Sequence, residues 1–218
     1  MQLLLPSQYL APVGAYAYLF AAERVVEDRG EFYIKQTYRN RCYIAGPQGE
    51  LSLIVPVERK GLARLPMRDV RISEHGNWRH VHWTALVSAY ESSPYFEYYA
   101  DDFRPLYERP FRYLVDFNEA LHRLVCELLS FTPQVSVSDE YVADTAGWTD
   151  LRQSLSPKQP LASLERFRPV DYYQVFASRL GFLPNLSIVD LLFNLGPESR
   201  LILRKSFLSP TCISNLPR

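Results

Sequence analysis

The predicted elements of the first 57 residues follow the order strand, helix, strand and hairpin, and this order restricts the fold more than any other feature. Four runs bounded by turn residues predict strands, at 2–5, 24–27, 32–44 and 51–57. Small and aromatic residues at 12–22 predict a packed helix after the first strand. The turn residues at 45–49 join the last two strands into a hairpin. We therefore predict an α/β fold with a mixed sheet flanked by helices, and α+β is the alternative.

Helical periodicity dominates much of the remaining chain. Apolar spacings of three and four predict two long helices, at 77–92 with Asn77 as its N-cap and at 113–129. Ser187 is predicted to cap a further helix, with Asp190 at the reciprocal position of a capping box and Gly196-Pro197 at its end. Shorter segments are predicted as strands at 70–73 and 135–142, a helix at 148–155, and a loop or broken helix at 95–107.

A chain of 218 residues has the size of one compact domain. The proline-rich stretch 157–169 is short and is followed by more apolar pattern, so it is interpreted as a loop inside that domain. We predict one domain over residues 1–203. The stretch 204–218 has little periodicity and two prolines, which indicates a mobile or docking tail.

Composition argues against several classes of protein. Twenty-four basic residues balance twenty-four acidic ones, so no overall field attracts nucleic acid or an anionic membrane. No apolar run approaches the roughly 18 residues of a membrane span, and no basic leader opens the chain. Three cysteines without CxxC spacing argue against a disulfide framework or a cysteine-based zinc site. We expect a cytoplasmic protein without a membrane span, in which any anion site is local.

The segment YIKQTYRNRCY carries the clearest charge pattern. As a strand it places Lys35, Arg39 and Arg41 on one face, where such cations can hold a phosphate or a carboxylate. The alternative is a solvated sheet face whose cations pair with acids such as Glu27. Asn40 lies on the opposite, more apolar face, where a buried amide either fixes a loop by hydrogen bonds or contacts a ligand.

His82 lies on the apolar face of its predicted helix, one turn from Trp78 and from Leu86. An imidazole there is the best general base in the chain, because its ordinary pKa is near neutrality. The alternative is a neutral core histidine bonded to a backbone carbonyl. His80 and His82 do not share a helix face, so no metal site is predicted there. Cys42, inside a predicted strand, is interpreted as an inert core cysteine.

Several motifs make the chain resemble the WbqC-like protein family of bacteria. They are PSQYLAPVGAYAYL, KQTYRNRCYI, LSLIVPV, NWRHVHWTALVSAYESSPYFEYY and YYQVFASRLGFLPNLSIVDLLFNLGPE. The patterns K-x-x-[WY]-x-N-R and N-W-x-x-x-H-W are the most specific of these. Many family members begin with a His-Gln-Pro-Asn-Tyr run, whereas this chain has Pro-Ser-Gln-Tyr, so no N-terminal catalytic histidine carries over.

The resemblance implies site residues at the matching positions: Lys35, Asn40, Arg41, Trp78, His82, Trp83, Tyr90 and Tyr95. The predicted site adds Arg39 from the charge pattern and Gln8 and Tyr9 from the N-terminal motif. In this set His82 is catalytic and the others bind substrate. The family is associated with surface-polysaccharide and O-antigen genes, and some members are thought to acylate amino sugars.

The first functional hypothesis is therefore an acyl- or aminoacyl-group transferase that acts on a nucleotide-linked amino sugar. Lys35, Arg39 and Arg41 hold phosphate or carboxylate, and His82 takes a proton from the sugar amine. No cofactor is expected, although an activated acyl donor is compatible with the hypothesis. The expected partner is a small molecule such as a nucleotide sugar, and a homo-oligomer is also compatible with the sequence.

Two rival hypotheses remain open. A non-catalytic binding or scaffold protein of polysaccharide assembly predicts that His82 is fully buried and bonded to backbone. It also predicts that the aromatic segment 95–107 forms a flat surface. A Rossmann-like nucleotide-binding enzyme is suggested by the strand-helix-strand opening, and it is weakened by the missing glycine fingerprint.

Overall fold

The computed structural model describes residues 1–58 and 64–208, and its strands fall into two sheets. The strands are β1 (Gln2–Pro6), β2 (Arg24–Asp28), β3 (Arg41–Gly46), β4 (Gly49–Ile54), β5 (Val135–Ser138) and β6 (Trp148–Asp150). Four of them form a parallel sheet in the order β5-β2-β1-β6, while β3 and β4 form an antiparallel hairpin. Leu3 and Leu4 in the interior strand β1 are fully buried, as expected for a parallel sheet covered on both faces.

Seven helices surround the two sheets in the described part of the chain. They are α1 (Val13–Ala21), α2 (Trp78–Tyr90), α3 (Phe96–Glu108), α4 (Leu114–Leu128), α5 (Ala177–Leu180), α6 (Ile188–Leu195) and α7 (Ser199–Ser206). The short helix α6 is buried almost throughout and packs against α1, α2, α3, α7 and β3, so it lies at the centre of the core. Within the described ranges, none of these helices has the length and apolar character needed to cross a bilayer.

The α/β prediction is confirmed, with parallel and antiparallel pairings both present and helices flanking them. The opening strand-helix-strand unit, the turn and second strand of the hairpin, and the two long helices lie within a few residues of their predicted positions. Ser187 caps α6 as predicted, since its Oγ accepts a hydrogen bond from the Val189 N–H. The capping-box role of Asp190 is wrong, because its carboxylate instead accepts hydrogen bonds from Tyr90, Tyr172 and Gln174.

The predicted strand at 32–44 is wrong over its first nine residues. Turns and bends occupy most of 32–40, and only the part from Arg41 onward joins the hairpin as β3. Gln36 has a φ of 60°, which lies in the left-handed region and is incompatible with a strand. Arg39 turns inward to a buried carboxylate, so Lys35, Arg39 and Arg41 do not share one strand face.

Three other segments differ from prediction. Residues 95–107, predicted as a loop or broken helix, fall almost entirely within the continuous helix α3, which buries Phe96, Phe103 and Tyr107. The helix predicted at 148–155 is wrong, because residues 148–150 pair with β1 as the short edge strand β6 and residues 151–155 are mostly turns. The predicted tail begins inside α7, and Phe207 pairs with Phe167. The rest of that tail, residues 209–218, lies outside the described residues.

Candidate functional site

Two buried ion pairs shape the segment between β2 and β3. Arg39 is 1% exposed and donates to Glu31 through Nε (2.9 Å) and Nη2 (2.6 Å). Asp28, which is fully buried, accepts from the backbone N–H groups of Gly30 and Glu31 and from Arg152 Nη1 at 2.6 Å. These bonds hold the chain in a compact series of turns, which leads from the sheet to the start of the hairpin.

Lys35 and Arg41 lie along a groove of about 880 Å³, which we call the basic groove. Its walls are the turn segment, the chain at 54–58 and the stretch before α2, and it is lined by Lys35, Asn40, Arg41, Glu58, Ser73 and His75. Among the described residues, neither Lys35 nor Arg41 forms an ion pair. The groove therefore offers two cationic groups that make no ion pair with the described residues, and Glu58 is an acidic group in the same lining.

Asn40 and Arg41, which line this groove, each have one buried polar atom without a hydrogen-bond partner among the described residues. Asn40 is 6% exposed and donates from Nδ2 to the Val55 carbonyl at 2.8 Å, while its Oδ1 has no partner among the described residues. Arg41 donates from Nη1 to Tyr43 at 3.2 Å, and within the same ranges its buried Nε is also unpaired. Buried polar atoms are seldom left without a partner, so this wall can accept a polar ligand.

His82 lies behind the hairpin in the core and is absent from the lining of the basic groove. It is 4% exposed, and its Nδ1 is 2.9 Å from the Tyr9 hydroxyl, which is in turn 2.8 Å from the Tyr107 hydroxyl. Burial lowers the pKa of His82 to about 4, against a smaller opposite effect of the Ile54 backbone. The imidazole is therefore neutral at pH 7 and already engaged by protein groups.

The other predicted site residues are dispersed. Trp78 and Tyr9 pack on His82, and Trp83 stacks on Phe96. Tyr90 is fully buried, donates to Asp190 at 2.9 Å and accepts from the Ala45 N–H. Tyr95 stacks on Tyr99, and Gln8 lines a separate cavity at the edge of the parallel sheet. Of the predicted set, only Lys35, Asn40 and Arg41 line the same groove.

Sequence reasoning missed two polar residues that the structure places on cavities. His75 lines the basic groove, and no spacing signal marks a single histidine ahead of a turn. Asn118 lines the cavity at the sheet edge, and a signal for it existed. It is a polar residue within the apolar stripe of α4, beside Phe117 and Leu121, and a buried amide there needs partners.

No group of three or more His, Cys, Asp or Glu residues that could hold a metal ion occurs within 1–58 and 64–208. Buried Cys42 has its pKa raised by burial, so its thiol stays protonated at neutral pH. The prediction that Cys42 packs in the core is confirmed, since the residue is fully buried.

Comparison with known proteins agrees with the motifs of the sequence. Residues 7–158 match the model of the WbqC-like protein family. The chain is also 29% identical over 212 residues to Rv1507c, an uncharacterised protein of Mycobacterium tuberculosis, over 85% of this chain and 89% of that protein. No solved structure matches the chain. Because the family model covers well over half of its length, the chain belongs to the WbqC-like protein family.

Proposed function

We propose that the protein is a group-transfer enzyme that moves an acyl or aminoacyl group onto the amine of a nucleotide-linked amino sugar. The observation that carries the proposal is the basic groove, which Lys35 and Arg41 line together with Asn40, whose Oδ1 has no partner among the described residues. Ammonium and guanidinium groups bind phosphate oxygens strongly, and a guanidinium does so with two parallel hydrogen bonds. The association of the family with surface-polysaccharide genes is the reason for choosing an amino sugar as the acceptor.

The reaction requires one proton acceptor. The amine nitrogen attacks the carbonyl carbon of an activated acyl donor, the new C–N bond forms, and the leaving group departs with its electron pair. The nitrogen then loses a proton to a base. His82 is poorly suited to this role in the proposal, because it is buried and bonded to Tyr9. His75 is exposed and lines the groove, so we assign the base to His75.

Removing both groove cations is expected to weaken binding of a nucleoside diphosphate sugar about 10- to 100-fold. The variant is Lys35→Gln/Arg41→Gln, and the reason is the loss of charge-assisted hydrogen bonds to phosphate. Isothermal titration calorimetry at constant ionic strength measures the change. The matched control is Arg104→Gln/Lys158→Gln, which removes the same charge from exposed positions elsewhere and should leave binding unchanged. Equal affinity of the groove variant and the wild type would contradict the anion site.

Replacing His75 with glutamine is expected to lower turnover about 100-fold with little change in substrate affinity, because a general base contributes mainly to the chemical step. Steady-state kinetics with a panel of amino sugar acceptors and activated acyl donors measures it. His80→Gln is the control, since His80 is an exposed histidine on α2 that does not line the groove. If the His75 variant keeps full activity, His75 is not the base.

A second function, a non-catalytic binding or scaffold protein, is favoured by one observation. His82 is buried, as that hypothesis expects, and burial lowers the pKa of its imidazole to about 4 against a smaller opposite effect of the Ile54 backbone. The same titrations and kinetics separate the two functions. Nucleotide-sugar binding without turnover, across the panel of donors and acceptors, would favour the binding protein over the transferase.

A further inference from the structure

A second cavity lies between the parallel sheet and helices α1 and α4, near the edge strand β5 and away from the basic groove. It has a volume of about 40 Å³ and is lined by residues of β1, β2, β5, α1 and α4. It shares Glu27, His122 and Val135 with a larger cleft of about 580 Å³ between α4 and β5. We call the two the sheet-edge cavity and the outer cleft.

Asn118 presents an unpaired acceptor at the sheet-edge cavity. The residue is 2% exposed, and its Nδ2 donates to the Arg39 carbonyl at 2.9 Å and to Ser7 Oγ at 3.2 Å. Because a carbonyl oxygen can only accept, the amide nitrogen must face Arg39, and this determines the orientation of the amide. Its buried Oδ1 has no partner in the part of the chain that the structure describes. A hydrogen-bond donor on a ligand would give this oxygen a partner.

Gln8 supplies a donor to the same cavity. Its Nε2 is buried and also lacks a partner among residues 1–58 and 64–208. Much of the remaining lining is apolar, with Leu5, Leu10 and Val25 among it. An apolar pocket with a few polar groups at its wall is the usual form of a small-molecule site. The complement of this wall is a neutral group that carries an N–H donor and a C=O acceptor, as an amide does.

The charges around the cavity favour a neutral ligand over an anion. The first turn of α1, the usual phosphate position in such folds, is already engaged, because the Gly14 N–H donates to Asn185 Oδ1 at 2.8 Å. Arg29 at the outer cleft is paired with Glu27 and Glu119. Burial also lowers the pKa of His122 to about 4, so this imidazole carries no charge at pH 7. The site therefore differs from the basic groove in the chemistry it accepts.

We propose that the sheet-edge cavity binds a neutral amide group, which offers both an N–H and a C=O to the two unpaired protein atoms. The ligand N–H donates to Asn118 Oδ1, and its C=O accepts from Gln8 Nε2. The body of the ligand lies in the outer cleft against Phe131, Val135 and Val137. Two sources present such a group, a lactam ring such as a pyrimidine base and a primary carboxamide.

The test titrates the full chain with two ligands and their N-blocked analogues, by NMR or calorimetry. Uridine is compared with N3-methyluridine, and nicotinamide with N,N-dimethylnicotinamide. The proposal expects at least one parent ligand to bind and its blocked analogue to bind at least about 10-fold more weakly, the effect of one lost hydrogen bond to a buried acceptor. The pair that shows this difference identifies the source. If neither parent ligand binds at a concentration of ~10 mM, which is weaker than ordinary ligand affinities, the proposal is overturned. Equal binding of a parent ligand and its blocked analogue also overturns the proposal.

Variants separate this site from the basic groove. Gln8→Met removes the donor at nearly constant volume, and Asn118→Leu removes the acceptor; each is expected to weaken the parent ligand about 10-fold or more. Because Asn118 also bonds Arg39, thermal unfolding checks its variant, and Gln8→Met keeps the test valid if that variant fails to fold. Lys35→Gln/Arg41→Gln should leave amide binding unchanged. Unchanged affinity in Gln8→Met, or a loss confined to the groove variant, contradicts the proposal.

Discussion

Replacing Arg39 with methionine is expected to lower the free energy of unfolding by about 3–5 kcal/mol, since it leaves Glu31 as an unpaired carboxylate in the interior. The two residues are 1% and 4% exposed and share two hydrogen bonds. Burial raises the pKa of Glu31, and the neighbouring guanidinium only partly opposes that effect. Once Arg39 is removed, burial and the nearby Asp28 both disfavour the charged carboxylate, and the remaining opposing effect is the weaker one of Arg152. Urea-induced unfolding of the single variant at pH 7 measures the loss.

The matching double variant, Arg39→Met/Glu31→Met, tests the physical reason. It removes both buried charges and keeps apolar volume at both positions, so it should be at least about 2 kcal/mol more stable than Arg39→Met. The control is Arg104→Met, which breaks an exposed pair with Glu108 and should cost less than about 1 kcal/mol. A double variant no more stable than the single one would show that the loss comes from packing and not from the uncompensated charge.

The second large effect is a loss of stability on acidification that depends on His82. Its pKa in the folded protein is about 4, below its ordinary value of 6.5, so the fold favours the neutral ring. This contribution is fully present above about pH 6.5 and disappears as the pH falls toward 4. Between pH 7 and pH 5 it amounts to about 2 kcal/mol. Urea-induced unfolding at both pH values measures the effect.

The comparison of wild type with His82→Gln isolates that contribution. His122 acts in the same direction, while Glu31 and Asp190, whose pKa values burial raises, gain stability as the pH falls. These groups remain in both proteins, so the difference between the two pH dependences belongs to His82. His80→Gln, at an exposed position, should keep the wild-type dependence. If His82→Gln loses as much stability on acidification as the wild type, the buried-histidine assignment fails.

The local elements of the fold were largely predictable from the sequence. Periodic apolar spacing placed α2 and α4, turn residues at 45–49 placed the hairpin, and Ser187 marked the start of α6. These signals work because they act over a few residues. The errors at 32–40 and 148–150 have the opposite cause, since each segment is held by residues far away in sequence. Arg39 donates to the Arg152 carbonyl, and Trp148 pairs with Gln2 of β1.

The site was predictable only where its residues are neighbours in sequence. Lys35, Asn40 and Arg41 lie within seven positions and line the same groove, although a series of turns and not a strand brings them there. Helical spacing correctly placed His82 on the buried face of α2. The spacing did not reveal that the hydroxyl of Tyr9, 73 residues away, forms a hydrogen bond with Nδ1 of His82.

The sequence by itself determined the family, the α/β class and the local cationic segment. Motifs, short-range periodicity and turn chemistry are enough for these, because each depends on residues that are adjacent or one turn apart. Only the tertiary structure decided which polar groups are satisfied. Arg39 and His82 find buried partners, whereas the described residues provide none for Asn40 Oδ1 and Asn118 Oδ1. Burial and long-range pairing decide this, and neither can be read from spacing along the chain.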